Sequence, residues 1–132
     1  MQTPRFLTVD EVLEIHLDQI QRYGGAAGLR DIGLLESAVH APAARFGGRF
    51  LLRDPFEMAA ALLVSLVNNH AFIDGNKRTG TAASLVFLLL NGFSIREDEP
   101  VLSDLVLAVA TGTAGREHVA DHFRSHAEPT NE

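Results

Sequence analysis

The chain has 132 residues, 46% of them hydrophobic and 21% charged, which suits one soluble globular domain burying roughly two-thirds of its unfolded surface. With 17 acidic residues against 11 basic ones, a general nucleic-acid-binding surface is not expected, and the absence of cysteine excludes disulfides, thiolate metal sites and a cysteine nucleophile. The first residues lack the basic-then-apolar layout of a signal peptide, and the apolar run at 85–90 is far too short to span a bilayer, so a cytoplasmic protein without a membrane partner is expected.

Thr8-Val9-Asp10-Glu11 has the capping-box pattern, and Val12, Ile15, Leu17 and Ile20 follow at near-helical spacing until Gly24-Gly25 stops the helix. His16, inside it, is read as a surface or partly packed histidine. A short helix is predicted over 31–41, ended by Pro42 and burying Leu34, Leu35, Ala38 and Val39. Between 43 and 53 the pattern breaks. Gly47-Gly48, flanked by Arg45-Phe46 and Arg49-Phe50, reads as the tight turn of a small hairpin. Asp54-Pro55-Phe56-Glu57 is a second strong helix start, and the helix it opens is apolar on nearly every side through residue 69, as befits a central helix wrapped by others. A helix over 76–91 follows, with Gly80, Ala82 and Ala83 small enough for a close crossing. Residues 93–95 form a short extended connector, two further helices are predicted over 102–110 and 117–124, and the tail at 127–132 is expected to be frayed. His118 and His122, spaced i, i+4 beside Asp121, invite a metal assignment, as do His40 and His126. Lacking a convincing further ligand, they are read as a solvated final helix. The expected fold is all-α: one domain over 1–132, an orthogonal bundle of about six helices with a hairpin flap at 43–53 before the central helix.

The chemistry concentrates between the two most apolar helices, in His70-Ala71-Phe72-Ile73-Asp74-Gly75-Asn76-Lys77-Arg78-Thr79. Asp74-Gly75-Asn76 reads as a turn at a helix start, where free N–H groups and the positive end of the dipole attract anions. Lys77 and Arg78 add full charge there, against the dipole, which makes sense if an anion sits between. Asp74 would repel a phosphate unless a hard cation bridged them, as Mg²⁺ does with one or two carboxylates plus substrate phosphates. Its alternative is a helix cap. His70 is placed to accept a proton from an attacking hydroxyl. Gly75 lets phosphate approach the backbone, Asn76 either fixes the loop or donates to phosphate, and Phe72 anchors the loop in the core. Together these parts suggest metal-assisted transfer of a phosphate-containing group.

This run resembles the signature of the Fic/Doc superfamily, His-x-Phe-x-(Asp/Glu/Asn)-(Gly/Ala)-Asn-(Gly/Lys)-Arg. With Lys77 where most Fic enzymes carry glycine, it is similar to the Doc branch, the death-on-curing toxins of bacterial toxin–antitoxin pairs. The likeness runs from residue 6 to about 123 and includes Gly28-Leu29-Arg30-Asp31, Leu34-Leu35-Glu36-Ser37 and Asn91-Gly92-Phe93. It implies a Fic-type helical core, His70 as general base with Lys77 and Arg78 assisting, Gly75 to Arg78 on the nucleotide phosphates, and Asp74 on Mg²⁺. It also implies a flap (Arg45, Phe46, Gly47, Gly48, Arg49) that docks the target's backbone, against the plainer reading of a connecting loop.

Departures from the general pattern bear on the chemistry. AMP-transferring Fic enzymes place a further Arg where this chain has Thr81, and Gly where it has Lys77. In the Doc branch the Lys goes with a reversed nucleotide, so the resemblance implies γ-phosphoryl transfer from ATP or another NTP to a threonine of elongation factor Tu. Gly75 matches the AMP-transferring pattern instead and keeps AMP transfer as the alternative. The family's self-inhibition motif has no full match, since Thr113-Ala114-Gly115-Arg116-Glu117 is followed by His118. Inhibition by a Phd-like antitoxin that folds on binding is therefore expected. A non-catalytic binding module and a metal-dependent nuclease are weaker readings.

Overall fold

Thr8 opens α1 (Val9–Tyr23) by the reciprocal bonds its sequence promises: the Glu11 N–H donates to Thr8 Oγ1 at 3.1 Å and the Thr8 N–H to Glu11 Oε1 at 2.9 Å. The computed structural model describes residues 3–130, so Met1, Gln2 and the last two residues of the expected tail lie outside it. The side of α1 that faces inward is the line Val12, His16, Ile20, one residue every four, whereas Leu17 stands 49% exposed and Ile15 is only partly covered. That corrects both the stripe drawn from apolar residues alone and the surface reading of His16.

Asp31 caps α2 (Ile32–His40), which buries Leu35, Ala38 and Val39, and a 3₁₀ turn (Ala41–Ala43) carries the chain past Pro42. The flap is a hairpin of β1 (Arg45–Phe46) and β2 (Arg49–Phe50), with Arg45 opposite Phe50 and Phe46 opposite Arg49. Gly47 and Gly48 have φ of 61° and 78°, the pair of positive values that a two-residue turn of this hand requires. Phe50 packs against Phe6 with ring centroids 5.5 Å apart, while Phe46 is 80% exposed.

Asp54 caps α3 (Pro55–Asn69), accepting from the Glu57 N–H at 2.8 Å, and Glu57 returns a bond from the Arg53 N–H. Met58 to Leu63, Leu66 and Val67 are all buried, because α2, α4, α5 and α6 all pack on this helix. Its closest neighbour is α4 (Asn76–Leu90): a Cβ at Gly80 would stand 3.0 Å from Val67 Cγ2 and 3.3 Å from the Leu63 carbonyl oxygen, so the crossing depends on glycine there. β3 (Phe93–Ile95), α5 (Glu99–Ala110) and α6 (Arg116–His126) complete the bundle.

The tail is where expectation and structure part. Ala127–Pro129 is a strand, β4, antiparallel to β3 with Ile95 opposite Ala127 and Phe93 opposite Pro129, and the Thr130 N–H donates to the Gly92 carbonyl at 2.9 Å. The extended connector had unpaired backbone groups, and the chain end supplies their partners. Among the described residues the fold is thus an all-α bundle of six helices edged by two small strand pairs. Among the described residues, no helix is long and apolar enough to cross a membrane.

Candidate active site

The signature loop joins the end of α3 to the start of α4, and the segment between α1 and α2 wraps it. The Ala71 carbonyl accepts from both the Arg30 and Asp31 N–H groups (2.7 and 3.0 Å), and the Ile73 N–H donates to the Gly28 carbonyl at 3.0 Å. From inside, Asn76 clips the loop to itself. Its Oδ1 accepts from the Phe72 N–H at 3.0 Å and its Nδ2 donates to the Phe72 carbonyl at 2.9 Å. The side chain is buried and bonds the loop through both amide atoms, the loop-fixing role of the two offered for Asn76. Its backbone N–H, at the first position of α4, is left to an anion. Phe72 is buried, as its anchoring role requires.

Two residues that sequence reasoning passed over hold this loop. His16 stacks on Phe72, ring centroids 3.7 Å apart and planes 6° from parallel, and its Nε2–H donates to the Asp74 carbonyl at 2.8 Å. A carbonyl can only accept, so this bond fixes the tautomer. Arg30 grips the end of α3: Nε donates to the His70 carbonyl at 2.6 Å and Nη2 to the Asn69 carbonyl at 3.1 Å. A C-terminal helix end lacks partners for its last carbonyls and favours a cation, and Arg30 supplies both donors and charge. Its place in the Gly28-Leu29-Arg30-Asp31 match was the available signal, without a role attached.

Held this way, His70 adopts φ 50° and ψ 48°, the one positive φ at a non-glycine position among the described residues, and its side chain is exposed. Backbone strain of this kind survives where surrounding bonds over-determine it. The imidazole lies open to solvent, free of any hydrogen bond to the described residues.

Asp74 is exposed and anchored by both oxygens. Oδ1 accepts from the Gly75 N–H at 2.8 Å and Oδ2 from the Ala26 N–H at 3.1 Å. These two bonds, Ala26 first, hold its carboxyl below the ordinary aspartate range, with the nearby Arg78 charge adding to them. A carboxylate has about four lone-pair sites, so two remain for a cation. A single ionised carboxylate with spare lone pairs beside an uncapped helix start fits Mg²⁺, which is commonly held by one or two carboxylates and substrate phosphates.

Gly75 is the N-cap of α4 at φ 78°, and a Cβ there would press on Ile20 Cδ1 at 3.1 Å. No side chain caps this helix, so the N–H groups of Asn76, Lys77 and Arg78 point out of the turn unpartnered by side chains. Lys77 is exposed, and Arg78 lies with its guanidinium 5.6 Å from the centroid of the Tyr23 ring. Both line a cavity of about 630 Å³ between α1, α4 and α5, whose walls include Gln19, Leu85, Leu102 and Val106. Thr81 faces the same cavity, its hydroxyl donating to the Lys77 carbonyl at 2.9 Å. The flap residues Arg45, Phe46, Gly47, Gly48 and Arg49 are exposed, and Arg45 lies with its guanidinium 4.1 Å from the Phe50 ring centroid.

The solvated reading of the last helix needs correction. His118 is exposed, but His122 is half-buried against Glu97 and stacked on His126, with centroids 4.4 Å apart.

The sequence profile of the Fic/DOC family matches residues 6–88. The chain belongs to the Fic/DOC family. It is 37% identical over 120 residues to the Protein kinase doc of Escherichia phage P1, spanning 91% of this chain and 94% of that one. It is 42% identical over 107 residues to the Toxin Doc of Mycolicibacterium smegmatis (strain ATCC 700084 / mc(2)155), spanning 80% and 82%. The matched region of the Fic/DOC profile takes in α1, the Arg30 segment, the flap and the whole signature loop.

Proposed function

We propose that this Fic/DOC protein is the toxin of a toxin–antitoxin pair and a nucleotide-dependent protein kinase. The observation that carries the reading is the pairing of an uncapped, cation-flanked helix start with an exposed histidine across one tightly bonded turn. His70 takes the proton of a target hydroxyl as its oxygen attacks the γ-phosphorus; the new O–P bond forms, the bond to the β-phosphate oxygen breaks and the nucleoside diphosphate leaves. The free N–H groups at 76–78, with Lys77 and Arg78, offset the charge of the transferring group. Asp74 would hold Mg²⁺, which would neutralise nucleotide phosphates.

The names of the two relatives, a kinase and a toxin, support this choice, as does Thr81, which supplies no cation to the cavity beside Lys77. Gly75, the feature that favours AMP transfer, also has a backbone reason of its own in its positive φ and tight surroundings. The target implied by the family likeness is a threonine of elongation factor Tu. A Phd-like antitoxin is the proposed regulator.

The deciding experiment incubates the protein, Mg²⁺ and elongation factor Tu with ATP labelled on the γ- or the α-phosphate. Label on the target from the γ-position alone is the expected result. Label from the α-position alone would replace phosphorylation with AMP transfer.

A further inference from the structure

The carboxylate of Glu97 lies 6% exposed between two imidazoles of α6: Nε2 of His122 contacts Oε2, and Nε2 of His126 stands 3.5 Å from Oε1. One donor atom from each residue falls within 4.8 Å of the other two. The fold puts them there. The β3–β4 register continues past Ile95 through the Arg96 N–H, which donates to the His126 carbonyl at 2.9 Å, and that bond sets Glu97 over the last two turns of α6. Glu97 also borders the cavity lined by Lys77 and Arg78, but the two histidines do not, and the chemistry proposed above assigns none of the three a role.

Protonation decides what such a cluster wants. The Nδ1–H of His126 donates to the His122 carbonyl at 2.8 Å, so in a neutral ring Nε2 carries a lone pair aimed at a carboxylate oxygen. Two electron-rich atoms facing each other call for a cation between them. A neutral His122 can meet Oε2 with its Nε2–H, but His126, its proton held on Nδ1, could donate to Oε1 only as an imidazolium, with the two ring centroids 4.4 Å apart. A single divalent ion satisfies all three donors with both rings neutral. The bond from His126 Nδ1 is moreover the outer-shell contact that metal-ligating histidines make to fix ring orientation.

We infer that Glu97, His122 and His126 form a binding site for a divalent transition metal, Zn²⁺ in the first instance, that ties the β3–α5 connector to α6. Two imidazoles and one carboxylate suit zinc and exclude a site built for Mg²⁺ or Ca²⁺, which prefer all-oxygen shells. At Zn–ligand lengths of about 2.1 Å, donors in a tetrahedral set sit about 3.4 Å apart, so small side-chain rotations close the shell. The partly exposed edge of His126 leaves the fourth position to water.

The test uses untagged full-length protein, stripped with chelator and then titrated with Co²⁺ and with Zn²⁺. One equivalent of Co²⁺ should bind with visible absorption bands of low coordination number, Zn²⁺ should displace it, and Zn²⁺ should raise the melting temperature. His126→Ala and Glu97→Gln should each weaken binding by about 100-fold or more and abolish the thermal shift, while His118→Ala, on the exposed face of the same helix, should change neither. Equal affinity in wild type and both site variants overturns the proposal. So does loss of binding in His118→Ala, or a wild type that shows no cobalt spectrum.

Discussion

The signature loop and the flap are both short, glycine-containing turns, yet they are built in opposite ways. The loop is bonded from every side: Arg30 holds the carbonyls of Asn69 and His70, Asn76 clips Phe72, and His16 holds the carbonyl of Asp74. The flap is two residues against two, with Phe50 as its foot in the core and Phe46 standing in solvent. Transfer chemistry needs the first, because a general base and an anion site must hold their geometry within fractions of an ångström. Recognition of a partner's backbone tolerates the second, because an exposed strand edge acquires its bonds on docking. The comparison predicts that changes in the loop strike rate or folding, and changes in the flap strike affinity for the protein partner alone.

The largest effect is expected from His70→Ala. It should lower phosphoryl transfer by about 10²–10⁴-fold, the range for a general base, with the melting temperature unchanged because the side chain is exposed and makes no hydrogen bond to the described residues. Growth arrest by the variant equal to wild type would break the catalytic reading and favour a binding module. Next comes Asn76→Ala, which orphans a buried N–H and a buried carbonyl on Phe72. At about 1–3 kcal/mol for each unsatisfied group, denaturant unfolding should show a loss of roughly 2–6 kcal/mol, and transfer should fall with it. Stability within 0.5 kcal/mol of wild type, on the order of a neutral surface change, would mean the loop is not held from inside.

These expectations also mark what could be read before the fold was known. The capped starts at Thr8 and Asp54 were legible because cap and partner lie three residues apart. The hairpin was legible because Gly47-Gly48 takes the two positive φ values that most residue pairs resist. His16 was missed because a search for apolar periodicity skips histidine, although positions 12, 16 and 20 share one face of a helix. Arg30 was missed because its partners are 39 and 40 residues away in sequence, and β4 because strand pairing across 31 intervening residues leaves no local trace in a polar tail (Ile95 to Ala127). The pairing of His122 with His126 and Glu97, rather than with His118, depends on that same register. The family signature named the candidate residues; the contacts that orient them are long-range and needed the fold.

For the flap, Phe46→Ser should leave the melting temperature within about 0.5 kcal/mol of wild type in stability terms, since the ring is 80% exposed. The measurement that matters is steady-state kinetics on the protein target. KM for the target should rise while KM for the nucleotide stays fixed. A change in the nucleotide KM instead would place the flap's influence on the signature loop and erase the contrast between the two turns.

The smallest effect is electrostatic and belongs to Asp74. Its carboxyl titrates below the ordinary aspartate range because two backbone N–H groups bond the ionised form. The sign follows from linkage: a group whose folded pKa is depressed adds stability above its unfolded pKa, and that contribution is lost as pH falls through the folded value. Acid should therefore loosen the tie between the Ala26 segment and the signature loop before the bundle itself unfolds. Amide exchange at Ala26 and Gly75 reports it directly, faster as pH falls through the depressed carboxyl range than general acid-induced slowing allows, with the amides inside α3 unaffected. Asp74→Asn, which cannot ionise, should flatten this pH dependence. A variant and wild type with identical pH profiles at Ala26 would mean the carboxylate is not what joins the two segments, and the loop's rigidity would then have to rest on Arg30, His16, Asn76 and the backbone bonds of Ala71 and Ile73.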